Sequence, residues 1–372
     1  MSKSRYGVGI IGLQPNRSWA SIAHLPALQS LPDLFNVVGV ANTTHASAAA
    51  AAGAFNIPRA YGNPGELVAD SDVDIVAITV KVPHHCELAK LALNAGKHVY
   101  CEWALGNSLG EATEMARFAK EKGLLGICGM QALASPEIVY AGKLINEGYV
   151  GKVLSTTIVG RGRGWGDSIP LRSTGYVLDH RNGASMLTIP GGHTLAALRA
   201  VLGDVDELSA VLANRRTSAK ALDTGEMLPM TSHDQVLFSG LMASGAPISW
   251  HFRGGDARDG NGFFWEINGT EGDLRLTGRS GHTQQMQLTL EGGRADAKDM
   301  KPLDVPASYR EGGENLVVGN VARVYARMAA DLRNGTHTAP TFEDAVAVHR
   351  IIDAIEKSAK SGTRIKVREA TA

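Results

Sequence analysis

Short apolar runs alternate with longer Ala-rich or amphipathic segments over the first third of the chain. The spacing predicts buried strands at Gly7–Gly12, Asn36–Ala41, Val73–Val80, His98–Cys101 and Leu124–Cys128. Helices are predicted between them, at Trp19–Leu31, Ala46–Phe55, His84–Ala95 and Leu109–Glu121, with a further one beginning near Asn63. Apolar strands that alternate with helices are typical of a parallel sheet covered on both faces, which favours a doubly wound Rossmann domain.

The pattern changes near Gln131, after which strands outnumber helices. A helix is predicted at Ser135–Glu147, a half-buried strand at Val153–Gly160, and a long helix at Gly183–Val201 that Pro190 interrupts. Further strands, joined by Gly- and Asn-rich turns, are predicted at Glu207–Asn214, Asp234–Met242, Pro247–Phe252, Phe263–Gly269, Gly272–Leu276 and Gln285–Leu290. The stretch Glu291–Gly313 is the most loop-like part of the sequence.

These two patterns predict an α/β chain of two domains, which a length of 372 residues accommodates. A dinucleotide-binding Rossmann domain is expected over residues 1–130. An α+β domain for substrate binding and oligomerisation, with an open and mostly antiparallel sheet, is expected over residues 131–372. The amphipathic helix predicted at Phe342–Lys357 is a candidate to pack back on the first domain.

Composition narrows the classes of function. Lys and Arg number 37 and Asp and Glu number 37, so the formal charge is zero. This balance argues against direct nucleic-acid binding, which needs a surplus of cations. The apolar runs are strand-sized, so no membrane span is expected, and the N-terminal run is interpreted as a strand rather than a signal peptide. The three cysteines lack C-x-x-C spacing, so a reducing, cytoplasmic location and no zinc site are expected.

The N-terminal glycines indicate a candidate phosphate-binding turn. Gly7-x-Gly9-x-x-Gly12 matches the dinucleotide fingerprint as a pattern, but these glycines lie inside the strand, whereas the fingerprint belongs in the turn after it. The better register begins the turn at Gly12 and uses Ser18 as a helix cap facing a phosphate. An ordinary strand–helix turn is the alternative. The candidate cofactor residues in this turn are Gly12, Gln14, Ser18 and Trp19.

The second strand ends without the carboxylate that usually binds the adenosine ribose. Its end reads Ala41-Asn42-Thr43-Thr44-His45. No acid repels the 2′-phosphate of NADP, and no Arg binds it. Asn42 and Thr43 can hydrogen-bond either cofactor, so NAD or NADP is predicted and the choice stays open.

Several blocks along the chain form a family pattern. They are Gly9-Ile10-Ile11-Gly12, Val73-Asp74-Ile75-Val76-Ala77-Ile78, His85-Cys86-Glu87-Leu88-Ala89, Ala95-Gly96-Lys97-His98-Val99-Tyr100-Cys101-Glu102, Leu144-Ile145-x-x-Gly148-x-x-Gly151 and Gly192-His193. With them, nearly the whole chain resembles the glucose–fructose oxidoreductase and inositol dehydrogenase family. The resemblance implies a Rossmann domain, an open sheet used for homodimers or homotetramers, and redox chemistry on sugars or cyclitols with a nicotinamide cofactor.

Two positions depart from that family. Its proton-transferring lysine, which follows Glu102, is replaced by Trp103, and its Asp four positions before His193 is replaced by Ile189. These departures resemble one branch, the fungal co-repressors of galactose genes. That branch is similar in Glu102-Trp103-Ala104-Leu105, Gln131, Ser135-Pro136, Gly183 and Gly192-His193-Thr194. Its resemblance implies dinucleotide binding with action through protein contacts.

The first domain offers further candidate residues. Lys81 follows the strand that ends at Val80, where ligands bind in such sheets, so it is either beside the cofactor or a solvated lysine. Trp103 either stacks on a nicotinamide or sugar ring or packs in the core. His85 lies near the cofactor or belongs to the polar surface. The candidate cofactor residues of this group are Val80, His85, Glu102, Trp103 and Gln131.

The second domain offers the candidate acid/base groups. The His193 imidazole can take the proton released as hydride leaves a carbinol, the alternative being a hydrogen-bonded core histidine. The Gly-rich segment 160–166 carries Arg163, which can bind an anionic group, and Trp165, which can stack on a sugar; a solvated surface loop is the alternative. Tyr176 and Asp179 are candidates for the missing acid/base. The histidines His233, His251 and His282 lack metal-ligand spacing and are interpreted as structural.

Together these features predict an NAD(P)-dependent oxidoreductase acting on a sugar, a sugar derivative or a polyol, with processing of a glycoside through transient oxidation as a variant. The catalytic candidates are His193, Tyr176, Asp179 and Lys81. The substrate candidates are Arg163, Trp165 and His193. Two alternatives stay open, a non-catalytic regulator that binds a dinucleotide and a sugar-binding protein with a structural dinucleotide.

Overall fold

The computed structural model describes residues 3, 5–15, 18–311, 313 and 315–367. The chain divides into two compact units, one containing residues 1–131 and 310–346 and the other containing 132–309 and the residues from 347 on. The predicted domain boundary at residue 130 lies next to the first division of the chain. Residues 310–346, which come late in the sequence, nevertheless belong to the first unit.

The first unit is built on a parallel six-stranded sheet in the order β3-β2-β1-β4-β5-β6. Its strands are β1 (Tyr6–Ile11), β2 (Phe35–Ala41), β3 (Arg59–Tyr61), β4 (Ile75–Ile78), β5 (His98–Glu102) and β6 (Gly126–Gly129). The strand order reverses between β1 and β4, and in sheets of this kind ligands bind beyond the carboxyl ends of the strands at such a reversal. The predicted doubly wound sheet is confirmed.

Nine α-helices are found among the described residues. They are α1 (Leu25–Gln29), α2 (His45–Phe55), α3 (Pro64–Ala69), α4 (His85–Asn94), α5 (Leu109–Lys122), α6 (Pro136–Asn146), α7 (Gly192–Leu202), α8 (Leu316–Asn334) and α9 (Phe342–Ser361). Sequence reasoning missed α8, although its boundary signals are present. The Asn315 side chain accepts from two backbone N–H groups at its start, and Gly335 ends it with φ +66°.

The helices predicted at Trp19–Leu31 and Gly183–Val201 are only partly α-helical. A π-helical turn at Ala20–His24 precedes α1, and another at Leu187–Gly191 precedes α7. Pro190 lies inside the second turn, where its missing N–H breaks the regular α-helical ladder. As a result, His193 is the second residue of α7.

The second unit contains a nine-stranded sheet in the order β17-β16-β15-β14-β7-β13-β12-β9-β18 and a small sheet in the order β11-β10-β8. The strands are β7 (Val153–Gly162), β8 (Ser168–Ile169), β9 (Val205–Ala213), β10 (Ser218–Ala221), β11 (Met227–Pro229), β12 (Gln235–Met242), β13 (Pro247–Gly254), β14 (Phe263–Gly269), β15 (Gly272–Gly278), β16 (Thr289–Arg294), β17 (Lys301–Pro302) and β18 (Ile365–Lys366). In the large sheet β7 and β13 pair in parallel, and the other pairings are antiparallel. The predicted mostly antiparallel sheet is confirmed.

Two predictions at the end of this sheet are wrong. The strand expected at Gln285–Leu290 lies at Thr289–Arg294, and the loop expected at Glu291–Gly313 contains β17 and a short 3₁₀ helix at Ala307–Arg310. The alternation of polarity is weak there because β16 contains two glycines. Elsewhere the alternation holds, and Trp250 and Trp265 point into the core while Arg161 and Val159 lie on the half-exposed face.

Candidate functional site

Gly12 forms the turn at the end of β1, as the sequence predicts. Its φ is +104°, and a Cβ at this position would lie 2.8 Å from Val80 Cγ1. The Thr79 backbone N–H and hydroxyl both donate to the Ile11 carbonyl, at 3.0 and 2.9 Å, which holds the ends of β1 and β4 together. Only glycine fits this backbone. Because glycine has no side chain, a ligand such as a pyrophosphate can approach the backbone closely.

Ser18 caps the helical turn that follows. Its hydroxyl accepts from the backbone N–H groups of Gln14, at 2.9 Å, and Ser21, at 3.2 Å, and donates to the Gln14 carbonyl. The loop is therefore organised by its own serine rather than by a second glycine. Trp19 is half-buried, and its indole nitrogen has no hydrogen-bond partner among the described residues.

Asn42 links the ends of β1 and β2. Its amide donates to the carbonyls of Leu13, at 2.8 Å, and Ser47, at 3.1 Å, and the residue is 7% exposed. The donors of Asn42 are thus used inside the protein, which leaves the exposed Thr43 as the better placed contact for a ribose.

His85 is buried, so its assignment to the polar surface is wrong. Its two ring nitrogens lie 2.8 Å from the Ala104 carbonyl and 3.0 Å from the Val80 carbonyl. Burial lowers the pKa of His85. The imidazole braces the segment after β4 against the segment after β5, whereas Lys81 is exposed at the same edge of the sheet.

Glu102 ends β5 and is the centre of a buried polar network. Its Oε1 lies 2.7 Å from His24 Nε2 and 2.7 Å from the Gln131 amide nitrogen. His24 Nδ1 lies 2.8 Å from the Tyr325 hydroxyl. The side chain of Glu102 is 12% exposed, while that of His24 is fully buried. Sequence reasoning found Glu102 and Gln131 but missed His24, which lies in the π-helical turn, and Tyr325, which lies in α8.

Trp103 follows Glu102 and is 5% exposed. The peptide bond between Trp103 and Ala104 is cis. The family's lysine position thus holds an indole with little accessible surface, which cannot carry a proton.

His193 lies in the second unit, near the start of α7, and is 3% exposed. Burial, together with the nearby His282, lowers the pKa of His193 to about 3. The imidazole is therefore uncharged at neutral pH, as a proton acceptor must be.

His282 packs against one of the candidate substrate residues. Its ring stacks on Trp165, with centroids 6.2 Å apart and planes at 17°. Burial and the Arg163 charge lower the pKa of His282 to about 4. Trp165 is 3% exposed, and its indole N–H donates to the Val177 carbonyl at 2.9 Å. Trp165 is thus packed against a histidine, with little ring surface available for a sugar.

The two other acid/base candidates differ in their surroundings. Asp179 accepts from the Arg181 guanidinium in a bidentate pair and from the Arg181 backbone N–H, which holds the pKa of Asp179 well below its usual range. Such a carboxylate is a weak base. Burial raises the pKa of Tyr176, so its phenol is a proton donor at neutral pH. Arg163 forms an exposed ion pair with Asp256 at 3.0 Å.

Two further findings concern ligand classes. The described residues contain no group of three or more His, Cys, Asp or Glu side chains arranged to hold a metal ion. Within that same part of the chain, none of the helices has the length and apolar character needed to cross a membrane.

Comparison with known proteins follows the division of the chain. Residues 6–130 match the model of an oxidoreductase family with an NAD-binding Rossmann fold, and residues 136–278 match that of the Gal80p C-terminal domain. The galactose/lactose metabolism regulatory protein GAL80 of Saccharomyces cerevisiae is 27% identical over 97% of this chain and 94% of its own length. Dehydrogenase aclE of Aspergillus oryzae is 29% identical over 97% of this chain and 98% of its own length.

Solved structures of related proteins have the same fold over nearly the whole chain. A super-repressor mutant of Gal80p from Saccharomyces cerevisiae has a TM-score of 0.90 and 26% identity, with 99% of each chain covered. Levoglucosan dehydrogenase in complex with NADH and levoglucosan has a TM-score of 0.83 over 98% of this chain and 100% of its own, and its 22% identity shows the fold alone.

The first unit is thus an NAD-binding Rossmann domain with a Gly12 turn and a Glu102 network at the carboxyl edge of its sheet. Residues 6–130 thus match the oxidoreductase family of glucose–fructose oxidoreductase and inositol dehydrogenase, and residues 136–278 match the C-terminal domain of Gal80p.

Proposed function

We propose that the protein is an NAD(P)-dependent oxidoreductase that transfers hydride between the nicotinamide and a sugar, a sugar derivative or a polyol. The observation that carries this proposal is the uncharged, buried His193, whose pKa is lowered to about 3. An imidazole of low pKa is a weak base toward an alcohol. It still accepts a proton once hydride leaves the carbinol, because the resulting protonated carbonyl is a far stronger acid than an imidazolium.

The cofactor residues proposed are those at the carboxyl edge of the Rossmann sheet. The backbone at Gly12 would approach the pyrophosphate, with Gln14, Ser18 and Trp19 in the same turn. Glu102 would accept from a ribose hydroxyl, Gln131 would hold that carboxylate in place, and Trp103 would stack beside the nicotinamide. The bound dinucleotide supplies the hydride acceptor or donor. NAD and NADP are both proposed, since the end of β2 has neither an acid nor an arginine.

The substrate residues proposed lie in the second unit. His193 would take or return the proton, and the Tyr176 phenol, whose pKa is raised by burial, would donate a hydrogen bond or a proton. Arg163, whose side chain is exposed, would contact the substrate, and Trp165 would support this segment from its packed position against His282. A sugar-like substrate is supported by the dehydrogenase names among the relatives and by levoglucosan dehydrogenase, a protein of the same fold.

The test is a turnover screen with the purified protein. Sugars, glycosides and their keto forms are offered with each cofactor while the absorbance of reduced nicotinamide is recorded. His193→Ala should abolish turnover and leave dinucleotide affinity intact, whereas the exposed His337→Ala serves as the control. Turnover that survives His193→Ala refutes this assignment of the proton acceptor.

A second candidate function, a non-catalytic dinucleotide-binding regulator, is favoured by a separate observation. Trp103 and Ile189 replace the family's Lys and Asp, and Asp179 is held by Arg181 as a weak base. The likeness to GAL80 regulators supports it as well. Tight dinucleotide binding with no turnover across the screen would establish this alternative over the enzyme.

A homodimer or homotetramer is proposed, formed through the half-exposed face of the nine-stranded sheet. Val211, which is 59% exposed on β9, lies in register with Leu237, His251, Val159 and Phe264 across that face. Val211→Lys should shift the sedimentation coefficient toward the monomer; an unchanged coefficient would refute this interface.

A cytoplasmic location is also proposed, because the three cysteines are free thiols.

A further inference from the structure

The two oxygens of the Glu102 carboxylate have different environments. Oε1 lies 2.7 Å from both His24 Nε2 and the Gln131 amide nitrogen. No hydrogen bond to Oε2 is found within the described residues. One oxygen is therefore anchored by the protein, and the other is available to a ligand at the carboxyl end of β5.

The hydrogen position on a neutral His24 ring follows from its partners. The Glu102 carboxylate can only accept, so the hydrogen on the facing ring nitrogen is carried by His24 Nε2. Nδ1 of the neutral ring then has a lone pair, and the hydroxyl of Tyr325, 2.8 Å away, donates to it. Burial raises the pKa of Tyr325 well above 10, so this donor does not ionise at neutral pH. The chain of hydrogen bonds runs in one direction, from Tyr325 through His24 to Glu102.

Packing fixes the position of the donor. The Tyr325 ring stacks on Tyr100 with centroids 4.6 Å apart, and its edge contacts Phe35 at 5.4 Å and His24 at 5.7 Å. Tyr325, His24 and Tyr100 are each 0% exposed. The hydroxyl of Tyr325 therefore cannot leave His24 without repacking the core.

We propose that Tyr325 and His24 are positioning residues for a ligand hydroxyl, because together they fix the His24 ring against Glu102 Oε1 and so hold Glu102 Oε2 as an acceptor for a ribose diol. This inference rests on the proposed dinucleotide binding and deepens it. It places a requirement for cofactor affinity in α8, 301 residues away from His24 in sequence. Neither residue touches the ligand.

Loss of the tyrosine hydroxyl leaves His24 Nδ1 without its partner in the core, so the imidazole is no longer fixed against Glu102. The groups that face His24 are Tyr100 and Glu102 on β5 and Tyr325 on α8.

The test compares Tyr325→Phe with the wild type and with Tyr6→Phe, a buried tyrosine in the same unit whose ring contacts Phe35. Affinity for NADH is titrated by its fluorescence. We expect Tyr325→Phe to bind about tenfold more weakly, since the positioning of one charge-assisted hydrogen bond is at stake. Tyr6→Phe should bind NADH as the wild type does.

Equal affinities in all three proteins would overturn the proposal, as would an equal loss in both variants. A second measurement needs no variant: the ¹⁵N chemical shifts of His24 in the wild type should show Nδ1 unprotonated, and an unprotonated Nε2 overturns the proposal even if Tyr325→Phe does not fold. If the wild type binds neither NADH nor NADPH, dinucleotide binding itself fails, and with it the role given to Oε2. The ¹⁵N shifts then still show whether Nε2 donates to Glu102.

Discussion

Arg253 and Arg161 lie directly opposite one another on the adjacent parallel strands β13 and β7. Arg253 Nε is buried without a hydrogen-bond partner among the described residues, and burial together with Arg253 lowers the pKa of Arg161. Like charges in register destabilise a sheet. We expect Arg253→Gln to raise the free energy of unfolding by about 0.5 kcal/mol at low ionic strength, with a smaller gain in high salt because the repulsion is screened.

Thermal unfolding at two salt concentrations measures this effect. Arg258→Gln, a change on an exposed loop after the same strand, is the matched control and should alter the transition little. A lower transition temperature for Arg253→Gln at low salt would show that its contacts on the sheet outweigh the repulsion.

Asp331 organises the loop that follows α8. Its carboxylate, 3% exposed, accepts from the Thr336 and Thr338 hydroxyls and from the backbone N–H groups of Thr338 and Ala339. Asp331→Ala leaves these donors without partners, so we expect a loss of about 3 kcal/mol in chemical unfolding of the first unit. Asp344→Ala, which removes a more exposed carboxylate that bonds Thr341, should cost less. Equal losses would argue against burial as the cause.

Asp331 also predicts acid sensitivity. Burial raises its pKa, but the hydrogen bonds outweigh burial, and the net pKa lies below the ordinary 3.8. A lowered carboxyl pKa stabilises the fold above the unfolded value, and this stability is lost as the pH falls through the folded pKa. Unfolding of Asp331→Asn should therefore depend less on pH than that of the wild type below about pH 4; parallel curves would contradict this.

Gly12 provides a test of the turn. Gly12→Ala places a Cβ 2.8 Å from Val80 Cγ1 at a φ of +104°. We expect a loss of about 1–3 kcal/mol in stability and weaker dinucleotide binding. Gly53→Ala is the control, since no atom lies within 4 Å of that added Cβ in α2, and it should stabilise by about 0.5–1 kcal/mol. A neutral Gly12→Ala would show that the turn relaxes.

Five of the six strands in the sheet of the first unit were predictable, because they are mostly apolar and a helix follows each of them. Strand β3, Arg59–Tyr61, was missed because it is short and begins with an exposed arginine. Gly12 was predictable as a turn residue because it lies at the end of the first predicted strand, where the dinucleotide fingerprint places its first glycine. Helix α8 was missed, although Asn315 and Gly335 mark its ends. Because α8 was missed, the contact of Tyr325 with His24, and through it with Glu102 at the end of β5, could not be predicted.

The site itself was less predictable, because its properties come from packing across distant sequence. Glu102 and Gln131 were found by family resemblance, but His24, which holds Glu102, lies in a π-helical turn without any motif. Asp179 is an acid/base candidate from its sequence position, and its bidentate pair with Arg181, which makes it a weaker base, could not be predicted from that position. His282 had no motif at all and is found only through its stacking on Trp165.

His193 predicts a second pH dependence, with a different window. Its folded pKa is about 3, against an ordinary 6.5, mainly because it is buried. Between these values the unfolded chain binds a proton that the folded chain does not, so stability falls as the pH falls through this window. His193→Gln should flatten the change in transition temperature between about pH 7 and about pH 5. The exposed His337→Gln should keep the wild-type slope, and an unchanged slope in His193→Gln would contradict the assignment.

Thr43 allows the proposed cofactor choice to be set by one charge. It is exposed directly after Asn42, at the end of β2, where Rossmann domains specific for NAD carry an acid. Thr43→Asp should repel the 2′-phosphate and weaken NADP binding by about tenfold, a cost of about 1.4 kcal/mol, while NAD binding changes little. Thr43→Asn, which introduces a side chain of the same shape as Asp but without its charge, is the control in calorimetric titrations with both cofactors. If Thr43→Asp weakens both equally, or neither, the adenosine ribose does not lie at the end of β2 and the proposed orientation of the dinucleotide is wrong.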